Sequence, residues 1–348
     1  MVKYEHKGGF MKKSLIIFSL LVLLVSSLFS DIQESLEKFG VENGQAYIKP
    51  FVTAYGTNFN SGLYNTAKVL KPFRFGLFIN TMLAFVPDKD NTFMPTRPDF
   101  IITDTNGDPI LYNNEVIYLY ENPIDETATV FGKDGGDFVH NSLLDDPALL
   151  TQLGLSQDDV NALDISLPDG TNLPAVLLMV PQFHLGLPAG NELMIRGFPK
   201  QKINKDIGKI GFWGIGLKHS ISQYIPLVPI DLAVQGVYQS LFMGDILELN
   251  NFALNAEISK KLLMWTLYAG IGYEQTKLKA EYETEIKVYN EDSNSFDSEP
   301  IDIDFEIEGD NNFRTTFGIR YSLLLLKLYA DYTISEYNIF NAGIGISF

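Results

Sequence analysis

Cysteine is absent from all 348 residues. Its absence excludes a disulfide-stapled fold, a thiolate zinc site, an iron–sulfur cluster and a cysteine nucleophile. It also excludes a lipid-modified lipoprotein N-terminus, which is built on a cysteine. Positive charge is short: 26 Lys+Arg stand against 43 Asp+Glu, a net −17. Binding to a phosphate backbone needs a basic surface, so nucleic acid is not an expected partner. There are only 2 Trp and 4 His. No nucleotide-binding loop or metal-ligand spacing is visible, so no cofactor is expected. The chain is rich instead in Gly (28), Phe (25) and Tyr (17), which favours sheet over helix.

Lys12 and Lys13 precede an apolar run from Leu15 to Leu24 that continues to Phe29. This basic segment followed by an apolar one predicts a signal peptide over residues 1–30, cleaved after Ser27 or Ser30, with Met11 the better initiator. The remaining chain has 22 basic and 42 acidic residues, a net −20. No later stretch is long and apolar enough for a membrane helix. The exported product therefore either stays soluble or crosses a membrane as strands.

The last residues separate those options. Phe340, Ala342, Ile344, Ile346 and Phe348 fall on one face of a strand, and Asn341, Gly343, Gly345 and Ser347 on the other. Period two is the strand signature. A terminal aromatic on such a strand resembles the C-terminal signal of bacterial outer-membrane barrels, with Phe340, Ile344, Ile346 and Phe348 as the residues that the barrel-assembly machinery reads. The pattern recurs upstream: Trp213, Ile215 and Leu217 alternate with Gly214, Gly216 and Lys218, and Phe317, Ile319 and Tyr321 with Gly318, Arg320 and Ser322. Every charge in these segments lies on the second face. A Lys or Arg facing lipid at mid-bilayer costs roughly 2–4 kcal/mol, which accounts for that exclusion. A soluble secreted β-sandwich binding protein, whose inner face is equally apolar, is the competing reading. Strands of about 9–13 residues match a membrane span better than the globular mode of about 5–6.

Strands are predicted near 46–55, 73–85, 176–187, 191–197, 209–221, 229–241, 249–259, 264–280, 312–323, 327–335 and 338–348, with a long acidic loop over Asn290–Asn311. That number is odd, whereas single-chain bacterial barrels are even. Either the segment 86–174 adds strands, with Phe100–Asp104, Val116–Tyr120 and Ala128–Phe131 as candidates, or the N-terminus threads the lumen. The expected fold is an all-β transmembrane antiparallel β-barrel over 46–348, of about 12–14 strands. Residues 86–174 hold 17 Asp+Glu and 3 Lys+Arg. They read as an acidic insert at the barrel mouth, with a helical stretch from Asp145 to Leu163; it is either a solvated loop or a device that selects by charge. Residues 31–45 carry a short N-terminal helix signal, capped by Asp31 with Glu34 three on and stopped by Gly40, either a plug or a tether.

The lumen-facing ionisable residues are expected to be Arg74, Glu192, Arg196, Lys218, Asp231, Glu257, Glu274, Arg314, Arg320, Lys327 and Asp331. Their near balance of sign suits either an eyelet that filters solutes or a network of ion pairs that fills the interior. Asp104-Thr105-Asn106-Gly107-Asp108 places oxygens at alternate positions, and Glu115 stands twelfth, but Pro109 replaces the glycine of a calcium loop and no helices flank it. His219 and Ser220 point to opposite faces of a strand, and His184 and His140 stand alone, so no nucleophile–base–acid set emerges and no enzyme is expected.

The stretch Leu187-Pro188-Ala189-Gly190, Ile195-Arg196-Gly197-Phe198-Pro199 and Trp213-Gly214-Ile215-Gly216-Leu217-Lys218-His219 resembles an uncharacterised family of predicted outer-membrane proteins. In size and N-terminal helix the chain also resembles the FadL-type transporters of hydrophobic compounds. That second resemblance implies a roughly fourteen-stranded barrel, an N-terminal hatch and lateral diffusion of an apolar ligand. The Asn-Pro-Ala start typical of those hatches is absent. The functional expectation is a bacterial outer-membrane channel or transporter for a small solute, hydrophobic solutes included, in contact with outer-membrane lipid. The alternative is a structural or secretion-assembly component that docks partners through the insert.

Overall fold

The computed structural model describes residues 42–97, 101–103, 108–112, 114–122, 125–204, 208–225, 228–244, 247–290 and 295–348. The expected signal peptide, the helix expected from Asp31 and the Asp104–Gly107 part of the calcium-like turn lie outside the described residues. Contacts divide the chain into two units. One holds Val52–Phe85 and Ala175–Phe348, the other Val86–Pro174 with the segment up to Phe51.

The first unit is built on long antiparallel strands: β1 (Phe75–Phe85), β2 (Ala175–Leu187), β3 (Asn191–Asn204), β4 (Gly208–Ser220), β5 (Asp231–Met243), β6 (Leu247–Leu262), β7 (Trp265–Asn290), β8 (Ser295–Glu308), β9 (Phe313–Leu323), β10 (Leu326–Ile334) and β11 (Ile339–Ser347). Each pairs with its neighbour in sequence, except that β7 bonds to β9 over Trp265–Tyr273 and to β8 over Lys277–Asn290. The ring closes where the first strand meets the last, from Gly76↔Ser347 to Ala84↔Ile339. Ten strands form this ring, and β8 extends it as a hairpin with β7. The fold is a closed transmembrane β-barrel. Among the described residues no helix is long and apolar enough to cross a membrane.

The alternation explains the geometry. Leu77, Ile79, Trp213, Ile215, Leu254, Leu267, Phe317, Leu328 and Ile344 face outward and exposed, while Asn80, Gln182, Gln239, Asn255, Thr276, Thr333 and Asn341 are buried inside. In hydrocarbon every backbone polar group must pair internally, and a closed ring meets that demand without an edge. Inward glycines make room for rings: a Cβ on Gly343 would sit 2.1 Å from the Tyr329 ring, which is the close approach that keeps this position a glycine.

Three expectations need correction. The ring has ten strands, not 12 to 14, so the fourteen implied by the FadL-type resemblance does not hold. Residues 46–55 are not a strand but part of a helix, α1, over residues 42–59. Tyr47, Ile48, Phe51, Val52, Tyr55 and Phe59 recur at helical spacing and are buried, but a short apolar run rich in aromatic and β-branched residues fits a strand as well as a helix. The segment 290–311 is no loop either, since β8 occupies most of it. Its Ile301, Ile303, Phe305 and Ile307 alternate with acids, a period-two signal hidden by the acidic composition.

Among the described residues the second unit supplies no strand to the ring and holds two-residue ladders, such as Thr92–Phe93 with Thr127–Ala128, and isolated bridges. Ile117, Leu144, Leu149, Leu150 and Val160 form a small core. Two short helices cover it: α2 (Pro147–Leu153), capped by Asp146 and ended by Gly154, and α3 (Gln157–Asn161), with a Ser156–Asp159 capping box.

A closed barrel predicts that the protein, extracted in mild detergent and run unboiled in SDS, migrates ahead of the boiled sample. Equal mobility of both samples would contradict the closed ring.

Candidate functional site

The lumen is filled by the chain itself. The end of α1 and residues 60–67 run inside the ring, residues 50–65 are buried, and residues 68–74 lead out to an exposed end. Thr57-Asn58-Phe59-Asn60-Ser61-Gly62 ends the helix with residues that favour side-chain-to-backbone bonds, and Gly62 sits at φ +62°. The last four helical carbonyls all find donors. Gly56 O accepts from Asn60 N (3.0 Å), Thr57 O from Ser61 Oγ (2.9 Å) and Asn58 O from Ser61 N (3.0 Å). Phe59 O accepts from Gln239 Nε2 (2.9 Å) and Arg196 Nη1 (3.3 Å). These carbonyls form the negative end of the helix dipole, so cations of the wall are suited to meet them.

The same logic continues along the exit of the plug. Arg196 Nη1 also donates to Ser61 O at 3.1 Å, and the Arg314 guanidinium donates to Asn60 O and, at 2.9 Å, to Ser61 Oγ. Gln182 Nε2 reaches Leu63 O at 3.2 Å, Lys218 Nζ reaches Thr66 O at 2.9 Å, and Glu192 accepts from Leu70 N at 2.7 Å. Ion pairs inside the wall brace these donors. Lys218 lies 3.0 Å from Glu257, with side chains 2% and 0% exposed, and Arg314 lies 3.0 Å from Glu274, at 3% and 0%. Asp331 accepts from Tyr268 Oη and Asn341 Nδ2, both at 2.7 Å. Arg320 donates to Asn65 Oδ1 at 2.8 Å.

Of the residues expected to face the lumen, Glu192, Arg196, Lys218, Glu257, Glu274, Arg314 and Asp331 are thus brought together and buried. Asp231 and Lys327 are half-buried near one rim, and Arg74 is exposed just before β1. The assembly-signal residues Phe340, Ile344, Ile346 and Phe348 are on the outer surface. Sequence reasoning did not single out the neutral partners Asn58, Asn60, Gln182, Gln235 and Gln239. For the three glutamines the signal was an amide on the inward face of a strand, whereas Asn58 and Asn60 stand at the end of α1 and gave no such signal. His184 is held between Gln182 and Glu192, and His219 bonds Asn191 and Tyr224, so neither faces a nucleophile.

The wall has one interruption. Among the described residues, the β2–β3 ladder runs from Leu187↔Asn191 to Gln182↔Arg196 and goes no further. Beyond it, Pro181 and Pro199 lack an N–H to donate. Gly197 sits at φ +139°, and the β3–β4 register shifts at Ile210/Phe212. The Val176 carbonyl on the separated β2 segment accepts from Asn58 Nδ2 of the plug at 2.9 Å. A cavity of about 720 Å³ opens here on the outer face, lined by Pro181, Phe183, Ile195, Phe198, Phe212 and Trp213 among others. Behind it Phe212 stacks toward Phe198 (5.9 Å) and toward Phe59 of the plug (4.5 Å).

Residues 11–348 match the family of unknown function DUF6588. The chain belongs to that family. No curated protein matches it. Among solved structures, this DUF6588 member is similar to OmpT, an outer membrane protein of Vibrio cholerae, at 11% identity over 49% of this chain and 55% of that one, TM-score 0.24. The match therefore spans about half of that protein's length. It is similar to the outer membrane channel DcaP of Acinetobacter baumannii at 8% identity over 80% and 100%, TM-score 0.18. It is also similar to OmpF of Salmonella typhi at 9% over 79% and 97%, TM-score 0.18. The barrel stands on its own hydrogen-bond registers rather than on these likenesses.

In the second unit, His140 Nδ1 meets Asp164 Oδ1 at 2.9 Å and its Nε2 meets Asp145 Oδ1 at 3.3 Å. Burial alone would lower the imidazole pKa, but the hydrogen bonds and charges of Asp164 and Asp145 outweigh it and raise the value above 6.5. Both carboxyls are held below 3.8: Asp145 first by the Gln157 amide and then by His140, Asp164 first by the His140 backbone N–H. The histidine contribution is complete below pH 6.5 and disappears as pH rises through the folded value. The carboxylate contributions hold above pH 3.8 and fall away as pH drops through theirs. The cluster is therefore strongest between these limits.

Two outcomes follow. The His140 ring proton titrates by NMR with a midpoint above 6.5, and Asp164→Asn moves it downward; an unmoved midpoint would contradict the pairing. Arg314→Ala strands Glu274 in a dry lumen and lowers unfolding stability by about 3–5 kcal/mol, whereas Arg314→Met with Glu274→Leu loses far less. Urea titration in detergent micelles distinguishes the two.

Proposed function

We propose that this protein is a plugged barrel of the bacterial outer membrane that takes a small apolar solute from the bilayer through the β2–β3 interruption. The observation that carries this reading is the unpaired stretch of wall with its apolar cavity. In a bilayer, unpaired strand edges cost several kcal/mol per group, so a gap kept open by Pro181, Gly197 and Pro199 needs a use. The cavity is apolar, and an aromatic series leads from it to the plug. A path along the barrel axis is closed by residues 52–67, which disfavours a simple aqueous pore. Export by the signal peptide 1–30 and insertion through the strand ending in Phe348 belong to the same reading, as does a role without catalysis. A structural or assembly role, with the acidic insert as docking surface, is the second reading. The density of bonds that lock the plug favours it.

The test uses Trp213, which lines the cavity. In a Trp265→Phe background reconstituted in nanodiscs, 1-bromodecane quenches Trp213 with a saturable component above the linear collisional background. Phe198→Glu abolishes the saturable component and leaves the heat-dependent gel shift unchanged. Linear quenching in both proteins would remove the solute reading and leave the structural one.

A further inference from the structure

The rim that bears the β6–β7 and β9–β10 turns carries two features that neither the ring nor the solute path requires. The first is its turns. The β6–β7 and β9–β10 connections are built from Leu263-Met264 and Leu324-Leu325, and Leu263 and Leu324 are 92% and 91% exposed. Both sit at positive φ, +56° and +50°. Such turn positions favour Gly, Asn or Asp, which meet the backbone strain and the solvent together. A leucine there takes the strain and gains burial only if something apolar meets it. These tips also lie beyond an outer aromatic layer at the same end, where Trp265 packs on Tyr321 (4.7 Å) and Phe75 on Phe348 (4.8 Å). Aromatic layers of this kind mark the edge of the hydrocarbon.

The second feature is charge. In a chain of net −17, this rim is basic. Lys68, Lys71 and Arg74, on the exposed exit of the plug, line a recess of about 340 Å³ together with Arg320, Ser347 and Phe348. Among the described residues none of these three cations forms an ion pair. Glu192, the carboxylate in the recess, is already engaged by His184 and the Leu70 N–H. The recess adjoins the β9–β10 turn, since Ser347 N donates to Leu325 O at 3.0 Å, and that hairpin is tied to the β6–β7 turn by Ser322 N, which donates to Met264 O at 2.8 Å.

We propose that this rim binds anionic phospholipid, with the headgroup phosphate in the recess of Lys68, Lys71, Arg74 and Arg320 and with Leu263 and Leu324 set into the interfacial layer around the headgroups. Unpaired cations beside exposed apolar tips are the pairing that an anionic lipid surface complements. A soluble anion would satisfy the cations and leave the leucines in water. An apolar protein surface would cover the leucines and leave the cations uncompensated. The rim therefore sits at the level of the headgroups rather than projecting into water. This inference is independent of solute uptake, because none of its residues lines the β2–β3 cavity.

The experiment follows the midpoint temperature of the heat-dependent gel shift for the full chain in dodecylmaltoside. Phosphatidylglycerol raises the midpoint by several degrees, and phosphatidylcholine at the same concentration does not. The phosphatidylglycerol effect shrinks in 0.5 M NaCl, as an exposed charge contact must (about 4 Å of screening length). In Lys68→Gln/Lys71→Gln/Arg74→Gln the same shift needs roughly tenfold more phosphatidylglycerol. Leu263→Asn/Leu324→Asn, which suits the turn geometry better, weakens the effect as well. Equal stabilisation by both lipids, an equal shift from inorganic phosphate alone, or a salt-insensitive shift in the wild-type protein would each overturn the proposal. The salt and lipid comparisons use the unmodified chain, so the test stands even if a variant fails to fold.

Discussion

The constraint on which this structure depends is that a strand in hydrocarbon leaves no backbone group without a partner. The ring between β1 and β11 exists because an open sheet would expose two rows of N–H and C=O groups to lipid. That demand also sets the two faces. Once the backbone is paired around the ring, the outward positions need only be apolar. The inward positions are released from contact with lipid and hold the amides and charges.

Ten strands enclose too little space for a wide aqueous channel and too much for wall side chains alone. The chain fills the difference with its own segment 52–67. A helix end and an extended strip inside a barrel bring many unsatisfied carbonyls into a dry interior. The wall answers with Arg196, Lys218, Arg314, Gln182 and Gln239. Their charges are neutralised in turn by Glu257 and Glu274 or spread over carbonyls. The buried charges thus have a structural reason: they are donors for a plug, held in place by acids behind them.

The same constraint gives the β2–β3 interruption its meaning. Among the described residues the other neighbouring strands of the ring stay paired over longer ladders, the β3–β4 ladder shifting register at Ile210/Phe212, so the loss of β2–β3 pairing belongs to the stretch that holds Pro181, Gly197 and Pro199. The plug partly offsets it through Asn58 and closes its inner side with Phe59. Wall gap, aromatic layer and plug are therefore one connected arrangement. The leucine turns and the cations of the plug's exit belong to a separate region with a different relation to the bilayer.

Much of this was legible in the chain. Alternation at period two is local, so each strand declares its lipid face within a few residues. Trp213 to Lys218 and Phe340 to Phe348 did so without any knowledge of their neighbours. Absence of charge from one face is likewise a local record of hydrocarbon. A chain segment threading the lumen stood as one of two ways to settle the odd strand count, but which residues form the plug was not legible, because its partners lie far away in sequence: Arg196 meets Phe59 across 137 residues and Arg314 meets Asn60 across 254. A short run rich in aromatic and β-branched residues fits helix and strand alike, and so Tyr47 to Tyr55 read as a strand. Strand number and the β2–β3 gap escaped for a related reason, since pairing is a property of two strands and the register between them. The sequence by itself determined that this chain forms two-faced strands with one face for lipid. Only the tertiary structure decided how many close the ring, what fills it and where the wall is left open, because those depend on hydrogen bonds between residues that no local pattern relates.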